Sequence, residues 1–410
     1  MSTVASRGTS AGTSTGTSAG TSTGAATTVL ERTVELVPEL RARAEQANAD
    51  RRLPPENIAA LQRAGSFKVL QSTRNGGLGL GVRDHLDVIS TLARGCASTA
   101  WVAGVVHAHS WLLSHFPAEG QDDVYADDPD AVVSAVIGPR GRAVRTADGY
   151  HLEGVWPFAS GSERADWLLL GAAVVDGDTV VDEGDFIVPT SDVTFLDDWH
   201  VTGLRATGSC TVKLDGLDIP AHRFLSLPAV IMGNSPGADL HSDWVQRCAP
   251  VPVLTIALTG GALGIARRAL EDYPPLVAGK TIAYTADRQD THPITHVKVA
   301  DAAMRVEEGE LLLYRCADEI DAAGKAGAEL PLLTRARMRV DCAVGVRRCL
   351  EAVEILFTAA GATGVRSSSP MAGALADLKA INNHGLLQLE MNLEMYGRLL
   401  MGLEPNTPLI

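Results

Sequence analysis

The sequence predicts an α+β fold with three parts in order: an N-terminal helical domain, a central β-barrel or β-sandwich, and a C-terminal four-helix bundle. Three observations predict this order. Apolar residues recur at helical spacing over residues 29–125, short β-rich runs replace them over residues 126–232, and long helical periods return over residues 233–410. With 410 residues, 46% of them hydrophobic, the chain can form several structural layers.

The first 28 residues are almost only Ser, Thr, Gly and Ala, with the triplet Gly-Thr-Ser repeated. This composition offers little apolar surface to bury, so residues 1–28 are predicted to be disordered. From Val29 the apolar residues follow a helical period, which Pro38 either kinks or divides. Further helices are predicted over residues 54–65, 84–94 and 98–116.

The centre and the end of the chain differ in the length and period of their apolar segments. Short β-rich runs, separated by Gly, Asp and Pro, cover residues 131–137, 150–158, 167–175, 185–189 and 211–214. Four long segments with a helical period lie near residues 246–273, 293–324, 329–361 and 372–402. Each is long enough to form one helix of a bundle.

Composition narrows the classes of partner. The formal net charge is −14, and no basic block is present, which argues against nucleic acid or an anionic membrane as partner. No apolar run has the length of a membrane span and no signal peptide is evident, so a cytoplasmic location is predicted. The 6 cysteines are scattered without a CxxC pair, which predicts buried thiols and neither a disulfide framework nor a metal site. A small molecule is the expected ligand.

The most informative motif is the stretch Gly154–Trp167, GVWPFASGSERADW. Alternation along a strand would place Trp156, Phe158 and Ser160 on one face, ahead of a tight Gly161-Ser162 turn. Two aromatic rings and a hydroxyl would suit a flat heterocycle with polar edges. The alternative is an ordinary buried strand followed by a Ser-Gly turn.

Together with other segments, this motif resembles the acyl-CoA dehydrogenase superfamily. The similarity is closest to its two-component, reduced-flavin-dependent monooxygenases, which include p-hydroxyphenylacetate hydroxylase and amine or amino-sugar N-hydroxylases. It covers about residues 30–403. The further matching segments are ADRRLPPENIAALQRAG, GGLGLG, WHVTGLRATGSCTVKLDGLDIPAHR, GGALGIARRALEDY and HVKVADAAMRVEEGELLL.

The resemblance implies a cofactor, reduced FMN or FAD, with dioxygen as co-substrate. It implies that Ser160 bonds the flavin N5 edge, that Phe158 covers the ring, and that Trp156 belongs to the same binding strand. Arg288 matches an arginine that reaches the flavin phosphates of a neighbouring subunit, and a solvated surface arginine is the alternative. A shared site of this kind implies a homotetramer built on the C-terminal bundle.

The resemblance also implies catalytic and substrate-binding residues. His384, on the last predicted helix, matches a histidine that hydrogen-bonds the flavin C4a-hydroperoxide. His107 lies where related hydroxylases contact a phenolic substrate, and with Trp111 it belongs to a stripe predicted to face a wet cavity. Ser134 is predicted to edge the same pocket. The alternative for His107 is a hydrogen-bonded core histidine.

Several departures from the superfamily pattern restrict the activity. Acyl-CoA dehydrogenases use a glutamate base at positions that correspond to Gly385 or Leu254, and neither residue here can act as a base. Gly373 and Ala376 replace the usual arginines, which weakens any inference of an anion contact there. The Gly76–Gly81 run lacks the GxGxxG spacing, so no NAD(P)H site is predicted. A separate NAD(P)H:flavin reductase would supply the reduced flavin.

The predicted function is therefore that of the oxygenase component of a flavin monooxygenase acting on a small organic substrate, with natural-product biosynthesis as one possible setting. Two alternatives stay open: a flavin dehydrogenase or oxidase with another base, and a catalytically silent flavin-binding homologue. The sequence leaves open FMN or FAD, and C-hydroxylation or N-oxidation.

Overall fold

A computed structural model describes residues 18–410, with side chains described from Gly24 onward. The N-terminal part contains the helices α1 (Ser18–Asp50), α2 (Pro55–Ala64), α3 (Val82–Gly95), α4 (Ala97–Leu113) and α5 (Ala118–Tyr125). Helix α2 shows why local sequence sets these boundaries. It begins at Pro55, whose fixed φ suits a first turn, and Gly65 ends it at φ 75°.

Residues 1–28 were predicted to be disordered, and this prediction is wrong for residues 18–28, which belong to helix α1. The helix begins at Ser18, and Ala25 and Ala26 pack against the core beside buried Val29. Helix propagation adds a hydrogen bond per residue once a nucleus exists, so a docked helix can extend into a weak sequence. Residues 1–17 lie outside the described residues. The helix also continues through Pro38.

The middle of the chain forms one mixed sheet of 7 strands in the order β5-β6-β2-β1-β3-β4-β7. The strands are β1 (Val133–Arg145), β2 (Gly149–Trp156), β3 (Trp167–Asp176), β4 (Thr179–Pro189), β5 (Thr194–Leu196), β6 (Thr211–Pro220) and β7 (Phe224–Ser226). Strands β1 and β3 are parallel, and the other neighbours are antiparallel. The α+β class and the order of helical, β and helical parts are confirmed.

The C-terminal part is helical, but two of the four predicted bundle helices are interrupted. After a short helix α6 (Leu227–Ile231), the helices are α7 (Pro250–Ile256), α8 (Gly260–Val277), α9 (Pro293–Ala326), α10 (Leu332–Ala359), α11 (Pro370–Asn382) and α12 (Leu389–Leu400). The first break precedes Gly260-Gly261, and the second contains His384-Gly385. Glycine disfavours a helix interior because it loses the most backbone entropy.

One helical stretch in the described part, Pro250–Val277, is long and apolar enough to cross a membrane. However, 78% of its most apolar window is buried inside the fold, so this stretch belongs to the protein core. The 6 cysteines are also buried and unpaired, as predicted.

Sheet register brings together two loops that form the candidate site. Trp156, the last residue of β2, pairs with Val212 near the start of β6. The loop after β2 therefore lies beside the loop before β6. The amide of Ala159 donates to the carbonyl of Cys210 at 3.2 Å, and the amide of Gly161 donates to that of Thr207 at 2.9 Å.

Candidate active site

The motif after β2 is not a continued strand, so the prediction that Trp156, Phe158 and Ser160 share one strand face is wrong. Strand β2 ends at Trp156, and Phe158 has a φ of 67°. Non-glycine residues rarely adopt positive φ, and this conformation turns the chain out of the sheet. The signal that misled the sequence analysis was alternation, which has no meaning past the end of a strand.

Trp156 and Phe158 consequently have opposite environments. Trp156 is 0% exposed and its Nε1 donates to the carbonyl of Gly171 at 2.7 Å. Its ring lies so close to Gly141 that a Cβ there would be 2.4 Å from the indole. Phe158 is 69% exposed and meets the edge of Trp199 at a centroid distance of 6.0 Å. Trp156 therefore supports the sheet from inside, while Phe158 alone presents an aromatic surface.

Ser160 lies in a network of hydroxyl groups. Its Oγ accepts from Trp101 Nε1 at 3.0 Å and lies 2.7 Å from Ser209 Oγ, which is 2.7 Å from Thr207 Oγ1. Its carbonyl accepts from the Ser134 hydroxyl at 2.8 Å. The predicted site residues Ser160 and Ser134 are therefore neighbours. Sequence reasoning missed Trp101, Thr207 and Ser209, because hydroxyls and a tryptophan on separate elements carry no shared pattern.

Trp101 also connects Ser160 to His384. The rings of Trp101 and His384 are tilted, with centroids 5.8 Å apart. Helix α4 supplies the tryptophan, the loop after β2 supplies the serine, and the C-terminal helices supply the histidine. The structure thus brings together two predicted residues that lie 224 positions apart in the sequence (384 − 160).

His384 was predicted to lie on the last helix, and this prediction is wrong. The residue lies in the break between α11 and α12. Its Nδ1 accepts from the amide of Leu386 at 3.3 Å, so the neutral ring carries its proton on Nε2. Burial lowers the pKa of His384 to about 4, so the ring is neutral at physiological pH. Its Nε2–H has no hydrogen-bond partner within residues 18–410. His384 is therefore an uncharged donor available to a ligand.

The prediction that His107 and Trp111 face a wet cavity is wrong. His107 is completely buried, with Nε2 bonded to the carbonyl of Ser66 and Nδ1 2.8 Å from Nδ1 of His85. Burial lowers the pKa of His107 to about 4. Trp111 is also fully buried, and its Nε1 donates to the carbonyl of Val245 at 2.9 Å. Both side chains are satisfied by protein groups inside the core.

His109, two residues further along α4, lies beside the site instead. Its Nδ1 donates to the carbonyl of Val133 at 3.3 Å, next to Ser134. This bond leaves the Nε2 lone pair of the neutral ring as an acceptor, and burial lowers the pKa of His109 to about 4. Residues two apart on a helix point about 200° apart. The periodicity could not choose between the two histidines, because α4 is buried almost all round.

Arg288 lies on the surface in the hairpin before α9. Its guanidinium pairs with Asp290, with Nη2 2.6 Å from the carboxylate, and its side chain is 59% exposed. In the described part of the chain, the side-chain hydrogen bonds of Arg288 go to Asp290 and to none of the residues of the candidate site. Its predicted contact with a neighbouring subunit's flavin stays a prediction.

The loop before β6 is held against α11 by two close contacts. A Cβ on Gly203 would lie 2.0 Å from the carbonyl oxygen of Ala376, so only glycine fits there. The Asp377 carboxylate accepts from the amide of Leu204 at 2.6 Å. The departures at Gly373 and Ala376 therefore have different consequences. Ala376 contributes a backbone contact, while a Cβ at Gly373 would meet nothing within 4 Å.

These residues fit a flavin. Phe158 offers an exposed ring in a constrained backbone conformation. Ser160 offers a half-buried hydroxyl where the N5 edge of the flavin is predicted to lie, and His384 offers a free hydrogen-bond donor. Trp101, from a third element, holds the serine and the histidine together. An aromatic surface beside a few fixed polar groups is typical of sites for flat heterocyclic ligands.

Comparisons with known proteins show the family to which this chain is similar. The chain matches the family models for the acyl-CoA dehydrogenase N-terminal domain over residues 10–127 and C-terminal domain over residues 256–389. It is 32% identical to the flavin-dependent monooxygenase oxygenase subunit HsaA of Mycobacterium tuberculosis, over 93% of this chain and 98% of that protein. It is 33% identical to the FADH2-dependent resorcinol hydroxylase oxygenase component of a Rhizobium species, over 89% of this chain and 92% of that protein.

Solved structures show the same similarity. The crystal structure of the M. tuberculosis HsaA monooxygenase superposes with a TM-score of 0.88 at 30% identity, over 94% of this chain and 100% of that chain. XiaF from a Streptomyces species, in complex with FADH2 and glycerol, superposes with a TM-score of 0.89 at 28% identity, over 95% of this chain and 99% of that chain.

Proposed function

Because the chain belongs to the oxygenase subunits of the two-component flavin-dependent monooxygenases, we propose that the group of residues around Trp101 holds the flavin and the aromatic substrate. The enzyme uses reduced flavin to hydroxylate a small aromatic compound, and a separate flavin reductase component serves it. One observation carries the site assignment. Trp101 donates to Ser160 and packs beside His384, so two of the three predicted catalytic residues lie beside the same tryptophan, while His107 lies in the core.

Phe158 and Ser160 would hold the flavin ring, and Ser134 fixes the loop through the carbonyl of Ser160. Reduced flavin, when bound, would supply the electrons for activating dioxygen, one atom of which would enter the substrate while the other would leave as water. His384 donates its Nε2–H towards the reacting oxygen, and its neutral state avoids placing a charge in a buried site.

We place the substrate between His384 and His109. Along α4, Trp101 and His109 are separated by about 12 Å at 1.5 Å per residue, a span that leaves room for one aromatic ring. The Nε2 lone pair of His109 would accept a hydrogen bond from a substrate hydroxyl. A phenol fits this acceptor, so C-hydroxylation of a phenol is favoured over N-oxidation. FADH2 is the proposed cofactor because the related resorcinol hydroxylase depends on it and the XiaF structure contains it.

The decisive experiment supplies photoreduced FAD or FMN, labelled dioxygen and a panel of small phenols that includes resorcinol. We expect one labelled oxygen atom in a hydroxylated product. His109→Ala should weaken substrate binding about tenfold, since it removes a hydrogen bond worth roughly 1 kcal/mol plus packing around it. His107→Ala is the matched control, because it should lower stability and leave substrate affinity of the folded protein unchanged. Product without label, or equal loss of substrate affinity in both variants, would contradict the proposal.

We also propose that the protein is a cytoplasmic homotetramer built on the C-terminal helices. Helix α9 carries an apolar stripe that is more than half exposed in the single chain: Ile294, Val297, Met304 and Leu311. The spacing of three and then seven residues places these side chains on one face. A contiguous exposed apolar face of this kind marks a protein interface. Arg288, just before α9, would then lie close to a neighbouring subunit.

Substitution within the stripe tests this assembly. Leu311→Asp is expected to convert the tetramer to smaller species, because a charge would be buried without a partner at the interface. The mass is measured by light scattering at micromolar concentration. Val180→Asp, at an exposed apolar residue of β4, is the control and should stay tetrameric. A wild-type monomer with full activity would refute the assembly.

A further inference from the structure

We propose that Thr207 and Ser209 fix the direction of the hydrogen bond that Ser160 makes, so that the Ser160 hydroxyl can only accept from the flavin. This inference rests on the proposed contact between Ser160 and the flavin N5 edge. It assigns a positioning role to two residues outside that contact, and it makes the site selective for the oxidation state of the ring.

Counting protons along the chain of hydroxyls gives the direction. Thr207 Oγ1 lies 2.9 Å from the carbonyl of Leu204, which can only accept, so the single Thr207 hydroxyl proton is used there. At the 2.7 Å contact between Thr207 and Ser209, Ser209 must therefore donate. Its proton is then committed, so at the 2.7 Å contact between Ser209 and Ser160, Ser160 must donate.

The other side of Ser160 completes the count. Trp101 Nε1 is a donor only, and its 3.0 Å bond occupies one of the two lone pairs of Ser160 Oγ. The Ser160 proton points to Ser209, so one lone pair is left for a ligand. A group that meets this lone pair must bring its own hydrogen. The hydroxyl thus acts as a fixed acceptor although a free serine can donate or accept.

Flavin chemistry converts this direction into selectivity. N5 carries a hydrogen in the reduced ring and only a lone pair in the oxidised ring. N5–H of the reduced ring can donate to Ser160 Oγ. In the oxidised ring, the lone pair of N5 would face the lone pair of Ser160 Oγ, which is repulsive. Turning the serine around would reverse both hydroxyl–hydroxyl contacts and take the Thr207 proton away from the carbonyl of Leu204, so the bond to that carbonyl would be lost. The network therefore favours the form that reacts with dioxygen and releases the spent, oxidised form.

Burial makes the arrangement stiff. Thr207 and Ser209 have almost no exposed surface, so water does not readily replace a lost partner. The backbone adds a constraint, since the amide of Gly161 donates to the carbonyl of Thr207 at 2.9 Å. The serine loop and the hydroxyl pair consequently move as one unit.

Thr207→Val tests the inference with little change of shape. Without the threonine hydroxyl, Ser209 is free to donate to Ser160, and Ser160 can then donate to N5 of the oxidised ring. We expect the ratio of the dissociation constants for oxidised and reduced FAD to fall about tenfold. The midpoint potential of bound FAD should fall correspondingly by about 30 mV. Ser209→Ala should act in the same direction, because it frees the Ser160 proton.

Two further variants separate the possible outcomes. Thr211→Val, whose hydroxyl bonds Asp198 and not the series, should leave the ratio unchanged. Ser160→Ala measures the underlying contact. If Ser160→Ala alters FAD binding but neither Thr207→Val nor Ser209→Ala changes the ratio, the directional role is wrong and the proposed site stands. If Ser160→Ala alters neither dissociation constant, the flavin contact itself is wrong. Melting temperatures show whether Thr207→Val or Ser209→Ala fails to fold. If one of them does, the ratio of dissociation constants is measured on the other.

Discussion

His384→Ala is expected to divert most of the consumed dioxygen to hydrogen peroxide while reduced-flavin binding stays within a few-fold of wild type. The histidine lies beside Trp101 with an unpaired Nε2–H among the described residues, and its Nδ1 is held by the amide of Leu386. A lost hydrogen bond of about 1 to 3 kcal/mol would change the partition between product and peroxide by roughly 5- to 150-fold. The measurement is hydroxylated product and peroxide per dioxygen consumed.

The pH dependence gives a second test of the same residue. Since burial lowers the pKa of His384 to about 4, the ring is neutral throughout the physiological range and protonates only as the pH falls towards that value. The product share contributed by His384 should therefore be constant between pH 6 and 8, about two units or more above the pKa. His151→Ala, at an exposed histidine of β2, is the control and should keep the wild-type product share. Unchanged coupling in His384→Ala would return this histidine to a structural role.

Trp156→Ala is expected to cost about 3 to 5 kcal/mol of unfolding free energy, the range for removing a fully buried large aromatic side chain. The substitution leaves a cavity beside Gly141 and removes the bond to the carbonyl of Gly171. FAD affinity of the molecules that remain folded should not change, because Trp156 has no exposed surface. Urea unfolding gives the free energy, and anaerobic titration at low temperature gives the affinity.

Phe158→Ala is the matched comparison and should show the opposite pattern. Its exposed ring contributes little to the free energy of unfolding, because removing it leaves no buried cavity. Reduced FAD should bind more weakly in this variant because the ring loses a stacking surface. Weaker flavin binding in Trp156→Ala than in Phe158→Ala would restore Trp156 to the cofactor site and contradict the environments described above.

The sequence predicted much of the fold because local signals and burial agree. Pro55 and Gly65 mark the ends of α2, and the long apolar periods mark the C-terminal helices. It failed at the start of α1, where a weak sequence is extended from a docked helix, and at the break around His384. At the start of α1, the contacts of the docked helix outweigh local preference, whereas at His384 the apolar period conceals the helix-disfavouring effect of Gly385.

For the candidate site, the sequence and the resemblance it carries predicted Ser160, Ser134, Phe158 and His384 as members, together with the class of cofactor. The sequence could not predict the direction in which the side chains point. The positive φ of Phe158 separates it from Trp156, and the all-round burial of α4 hides which histidine lies next to Ser134.

Tertiary structure alone decided which groups meet. Trp101 joins Ser160 to His384 through contacts between residues far apart in sequence. The Thr207–Ser209 pair becomes relevant only because the register of β2 and β6 places its loop beside the serine. Composition and period report which residues are buried or helical, since these follow from each segment's own polarity. The direction of a side chain or a hydroxyl proton depends on the partners opposite, and those are supplied by the packed fold.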